Sequence, residues 1–203
     1  MNLPNKLTVA RFFMALAFVF LMAFNHIATY IAAYLLFIVA TITDHYDGKI
    51  ARQRNLITNF GKLLDPVADK VLMSGAFVSL MAVSTLWVPA WAVVVIITRE
   101  FLITGIRSLA ASGGKVIGAN KWGKTKTVLQ MVYVFTFLAL AIIAKMLGWF
   151  TGVAWMPRVL DYYLQALAIS SLVAIIIVAA ITVYSGAQFI RVNWDALNLG
   201  KEM

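Results

Sequence analysis

Cysteine is absent from the 203-residue chain, which excludes disulfides and any metal held by thiolates. Charge is scarce as well: 12% of residues are Asp, Glu, Lys or Arg, against 63% hydrophobic. That balance excludes an ordinary soluble globular domain. The sequence holds no internal repeat and no low-complexity tract. The longest segment between its apolar spans, residues 44–70, has 27 residues, too short for a second domain, so residues 1–203 are expected to form one domain. A cleavable signal peptide is not expected either, because the first apolar run is followed at once by a second.

What the chain does have is long uncharged stretches, each at or above the roughly 17–25 residues needed to cross a bilayer. Phe12 to Thr43 holds two spans with a break near Asn25-His26. Val71 to Thr98 holds a third and half of a fourth, broken between Ser84 and Pro89, and the fourth runs on through Arg99 and Glu100 to near Ser108. Thr127 to Ala144 makes a fifth and Tyr162 to Ile190 a sixth, long enough to tilt or protrude. The expected fold is an all-α integral membrane protein with six transmembrane helices.

Basic residues are retained on the cytoplasmic side of membranes. With both termini inside, only Lys145 and Arg158 of the 17 basic residues fall on outer loops. The topology is therefore N-in and C-in, multi-pass in the cell inner (cytoplasmic) membrane. The net charge of +9 then reports topology and attraction to membrane lipids, not a nucleic-acid partner.

Acidic residues number only eight, yet four of them, Asp44, Asp47, Asp65 and Asp69, crowd the inner ends of the second and third spans. The first two are three apart and the last two four apart, so each pair shares a helix face. Four carboxylates converging near a low-dielectric boundary repel one another unless cations neutralise them. Oxygen ligands without Cys or paired His favour two hard divalent cations, Mg²⁺ or Mn²⁺ with Ca²⁺ open, over Zn²⁺. Phosphoryl-transfer enzymes use such a clamp, and a site of this kind would face the cytoplasm. A divalent-cation transporter is a rival from another class, which the nearby Lys49, Arg52, Arg54 and Lys62 fit poorly.

The order Asp44-x-x-Asp47-Gly48-x-x-Ala51-Arg52, eight residues, Gly61-x-x-x-Asp65-x-x-x-Asp69 resembles the complete signature of the CDP-alcohol phosphotransferase family. The resemblance implies an enzyme in which an acceptor hydroxyl attacks the phosphorus of a CDP-linked alcohol and CMP departs. It implies that Asp44, Asp47, Asp65 and Asp69 hold the two divalent cations and that Asp69 is also the catalytic base. Gly48, Ala51, Arg52 and Gly61 would shape the CDP site, and membrane helices would pair in a homodimer.

The signature leaves the acceptor open. "NLPNKLTVARF" from Asn2, "TREFLITGIR" from Thr98 and "GKTKT" from Gly123 resemble the bacterial branch that joins CDP-diacylglycerol to sn-glycerol 3-phosphate, giving phosphatidylglycerophosphate and CMP. Inositol phosphate, serine and phosphatidylglycerol are alternative acceptors. A phosphorylated acceptor needs cations of its own. Arg99 and Arg107, about two helical turns apart, together with Lys124 and Lys126 at the start of the fifth span, can supply them, whereas Lys115 and Lys121 read as ordinary anchors. Asn5, Thr8 and Arg11 recur every three residues. They face the CDP-lipid, or they belong to an interfacial helix whose Arg11 snorkels to headgroups. Glu100 reads as a partner for Arg99 or Lys70, with no role of its own. "GANKWGKT", Gly118 to Thr125, matches the Walker A pattern but lacks the strand and parallel sheet that a nucleotide loop requires.

Overall fold

The computed structural model describes residues 3–53, 59–112, 118, 121–148 and 156–194, with backbone alone for 3–4, 45–53, 59–66, 121 and 156. Six helices follow one another: α1 (Leu3–Ala23), α2 (Ile27–Gln53), α3 (Asn59–Met81), α4 (Ala90–Ser112), α5 (Lys121–Gly148) and α6 (Met156–Val192). There is no strand among the described residues, so the Walker-like segment leads into α5 without the sheet of a nucleotide-binding loop.

The two breaks foreseen within the apolar runs are present, and each has a local cause. At the first, the Ala28 N–H donates to His26 Nδ1 (3.2 Å) and Thr29 Oγ1 donates to the His26 carbonyl (2.8 Å). The His26 ring thus satisfies an N–H that the opening turn of α2 cannot pair internally, and the Thr29 hydroxyl ties the turn back to the break. At the second, Pro89 precedes α4, and its carbonyl accepts from the Ala92 N–H at 3.1 Å. Proline has no N–H to lose at a helix start.

The helices outrun the apolar stretches. α2 continues past Thr43 to Gln53, and α3 begins at Asn59, well before Val71. Ala, Lys, Arg and Gln are good helix formers, so the backbone stays helical where the lipid-compatible stretch stops. Gly48, Ala51 and Arg52 are consequently helical residues of α2 and Gly61 of α3.

Four of the six helices, α1, α2, α5 and α6, contain stretches long and apolar enough to cross a membrane. The other two carry charge within their length: Lys62, Asp65, Asp69 and Lys70 on α3, and Arg99, Glu100 and Arg107 on α4. The 37 residues of α6 extend about 55 Å at 1.5 Å per residue, well past a ~30 Å hydrocarbon layer.

α1 packs against both α2 and α3, α6 packs against α5 and α4, and α5 touches α2 and α3. Aromatic rings fill the seams: Phe18 against Phe37 (5.5 Å between centroids), Phe37 against Phe135 (4.9 Å), and Phe77 stacked on Tyr133 (5.8 Å). The outside is apolar as well, with Phe13, Phe20, Leu109 and Val132 exposed, as befits helices solvated by lipid.

Close approach of α1 and α3 depends on Gly75, where an added Cβ would lie 2.6 Å from Val19 Cγ2. Valine is stiff about χ1, so the helices would have to part. Gly75→Ala is expected to cost about 1–3 kcal/mol, seen as a lower unfolding temperature in detergent; an unchanged temperature would refute the tight seam.

Candidate functional site

On α1, Asn5, Thr8 and Arg11 are all buried, Arg11 completely. The Arg11 Nη1 donates to Asp44 Oδ1 at 2.5 Å, tying α1 to the charged end of α2. Arg11 therefore does not snorkel to headgroups. It turns inward, and the polar stripe at the start of α1 belongs to the protein interior.

Asp69, half-buried on α3, opens onto a cleft of ≈ 370 Å³ whose other walls come from α4 and α5. That volume lies in the range of small-molecule sites. Arg99, Arg107, Lys124 and Lys126 all line it, together with Lys70 and Glu100. The four basic residues singled out in the sequence are thus brought together beside Asp69. Five basic side chains face two carboxylates there, an excess of positive charge suited to an anion.

Each cation is held differently. Arg99 donates from Nη2 to Ser185 Oγ (3.0 Å) and from Nη1 to Glu100 Oε1 (3.4 Å). The Arg107 guanidinium lies over the Phe189 ring, 4.9 Å from its centroid, a cation–π contact. Lys126 is buried and its ammonium pairs with Glu100. Lys124 is exposed and makes no ion pair among the described residues. The Nε–H groups of Arg99 and Arg107, like that of Arg11, are buried with no acceptor among the described residues.

Glu100 gains a place that the sequence reading did not give it. Its Oε1 accepts from Lys126, Arg99 and Gln130 Nε2, the last at 3.4 Å. Gln130 in turn donates to Thr182 Oγ1 at 3.3 Å. A carboxylate in a membrane-embedded helix is costly unless it is used, and that cost was the available signal. A smaller, water-sized cavity of ≈ 30 Å³ shares Asp69, Lys70, Glu100 and Thr127 with the cleft and runs inward to Met73 and Phe77.

The side chains of Asp47, Gly48, Ala51, Arg52, Gly61 and Asp65 lie outside the described residues. Backbone alone places Asp47 one turn beyond Asp44 on α2 and Asp65 one turn before Asp69 on α3. The five residues joining the helices can reach no more than about 20 Å, so the two pairs belong to the same end of the molecule. Among the described residues no three acidic or histidine side chains form a metal-binding group. The full donor set still fits hard divalent cations: four carboxylates and no sulfur.

Lys145 marks the opposite end, donating to Asn25 Oδ1 (2.5 Å) and lying 4.6 Å from the Tyr30 ring centroid.

All-helical architecture, four membrane-length apolar helices and an anion-receptive cleft at one end define a helical membrane protein made to handle a charged group. The chain belongs to the CDP-alcohol phosphatidyltransferase family, which it matches over residues 1–157. It is 36% identical to the CDP-diacylglycerol–glycerol-3-phosphate 3-phosphatidyltransferase of Bacillus subtilis (strain 168), across 97% of each chain. Proteins of the same name are 34% identical in Mycoplasma pneumoniae, over 67% of this chain and 70% of that one. In Rickettsia bellii the figure is 40%, over 64% of this chain and 71% of the relative.

Proposed function

We propose that this protein transfers the phosphatidyl group of CDP-diacylglycerol to sn-glycerol 3-phosphate, releasing CMP and forming phosphatidylglycerophosphate for phospholipid biosynthesis. The observation that carries the reading is the meeting of Asp69 with Arg99, Arg107, Lys124 and Lys126 in one cleft. Likeness to the Bacillus subtilis relative over nearly the whole chain supports it.

In this reading the basic side chains hold the acceptor's phosphate, so that its free hydroxyl lies beside Asp69. Asp69 takes the hydroxyl proton as the oxygen forms its bond to the phosphatidyl phosphorus. The bond from that phosphorus to the CMP oxygen breaks, and CMP leaves with the electron pair. Holding both reactants in one orientation contributes as much as the base does. Asn5, Thr8, Gly48, Ala51, Arg52 and Gly61 shape the CDP-lipid side. Two divalent cations, Mg²⁺ or Mn²⁺, held by Asp44, Asp47, Asp65 and Asp69, supply the charge that stabilises the phosphates and the departing CMP. The single domain spans residues 1–203 with six transmembrane helices, N-in and C-in, and works as a homodimer in the cytoplasmic membrane with the cleft facing the cytoplasm.

The test is CMP release by the purified protein in detergent with Mg²⁺ and CDP-diacylglycerol, comparing glycerol 3-phosphate with serine, inositol, inositol phosphate and phosphatidylglycerol. Release is expected with glycerol 3-phosphate alone. Release only with another acceptor would overturn the proposal, and metal flux without CMP release from any mixture would point to a transporter.

A further inference from the structure

All but the first two residues of α6 lie beyond residues 1–157, the part of the chain that matches the family, yet one of its faces backs the basic side of the cleft. Thr182, Ser185, Gly186 and Phe189 follow i, i+3, i+4, i+7 spacing and therefore share that face. Thr182 and Ser185 are completely buried and Phe189 nearly so. Each makes a specific contact across the seam: Thr182 with Gln130, which reaches Glu100; Ser185 with Arg99; and Phe189 with Arg107.

Gly186 contributes by what it lacks. A Cβ there would lie 3.1 Å from both Cγ and Nε of Arg99, so the side chain of Arg99 lies directly on the α6 backbone. A hydroxyl fixes one end of the guanidinium while the missing methyl admits its stem. Arginine's long side chain otherwise has many rotamers, and holding it in one of them removes an entropic cost of binding.

We infer that Ser185 and Gly186 are positioning residues that set Arg99 for the acceptor's phosphate. α6 then tunes how the acceptor's phosphate is held, while Asp69 on α3 serves the acceptor's hydroxyl. The inference rests on the acceptor reading of the cleft proposed above.

The experiment measures steady-state kinetics for both substrates in Ser185→Ala and Gly186→Ala, each a change of one small group. Each variant is expected to raise KM for glycerol 3-phosphate about ten-fold, the cost of misplacing one charged hydrogen-bonding group. kcat and KM for CDP-diacylglycerol should stay within about two-fold, because neither change touches the reacting atoms. In an Arg99→Lys background, Ser185→Ala should add less than about two-fold, since residues acting through one another are not additive. A purely structural role would lower kcat and both affinities together and add fully in that background. That result, or an unchanged KM for glycerol 3-phosphate, would overturn the inference.

Equilibrium binding of inorganic phosphate to the purified protein separates this failure from that of the functional reading. Wild-type protein that binds phosphate, weakened about ten-fold in both variants, but turns over only another acceptor would sink the choice of glycerol 3-phosphate and uphold the positioning of Arg99. Turnover of glycerol 3-phosphate with both variants indistinguishable from wild type would sink the positioning alone. Should Gly186→Ala fail to fold, Ser185→Ala, which removes one oxygen, decides the matter.

Discussion

Asp69→Asn is expected to abolish nearly all CMP release while leaving the fold intact. The amide has the shape of the carboxylate but cannot take a proton, and loss of a general base typically costs roughly 10²- to 10⁴-fold in rate. Asp69 is half-buried on α3 and faces the cleft, so the replacement remains free to contact water and no apolar packing is lost. The measurements are CMP release at saturating substrates, and elution and thermal unfolding in detergent. A fall in rate of less than about ten-fold would remove Asp69 from the role of base. Loss of folded protein together with activity would show that the carboxylate is structural.

Asp44→Ala is expected to behave differently, because it injures structure and reaction together. Arg11 is wholly buried and its guanidinium meets Asp44, so removing the carboxylate leaves a buried cation without that counter-charge. Breaking such a pair from one side costs about 3 kcal/mol. The proposed metal site loses one of its oxygen donors in the same change. The double variant Arg11→Met, Asp44→Ala removes the cation as well, and should recover most of the stability while CMP release stays lost. Recovery of activity with stability would mean that Asp44 serves only to neutralise Arg11. Equal stability of wild type and Asp44→Ala would contradict the pairing itself.

The contrast between the two aspartates bears on what could be read in the sequence. Breaks at Asn25-His26 and before Pro89 were legible because an uncharged run of more than about 40 Å as a helix exceeds a ~30 Å hydrocarbon layer and has to turn somewhere. Family membership was legible because the acids and glycines stand at fixed spacings. Helix limits were less so: the backbone of α2 and α3 continues through Asp47 and Asp65, since hydrogen bonding between turns does not require apolar side chains. Arg11 divided evenly between a headgroup anchor and a site residue, because sequence spacing gives a direction around one helix and not the neighbour that fills it. The grouping of Arg99, Arg107, Lys124 and Lys126 could be proposed from the demand for cations. The Arg99–Glu100 pair could be read from adjacency, but nothing in one dimension revealed that Glu100 also gathers Lys126 and Gln130, or that Ser185 lies beside Arg99 from 86 positions away. Those contacts are products of α4, α5 and α6 packing.

The position of α6 at the end of the chain has a consequence for biogenesis. A chain is made from its N-terminus, and its early parts assemble first. α1, α2 and α3, with Arg11, Asp44 and Asp69, are all synthesised before α6. Until α6 arrives, Arg99 has no Ser185 to donate to, and Arg107 has no Phe189 ring beneath it. Two guanidiniums must wait within a half-built bundle for the strand of sequence that accommodates them. A chain stopped before Met156 would therefore carry Arg11, Asp44 and Asp69 while the α6 contacts of Arg99 and Arg107 were still missing.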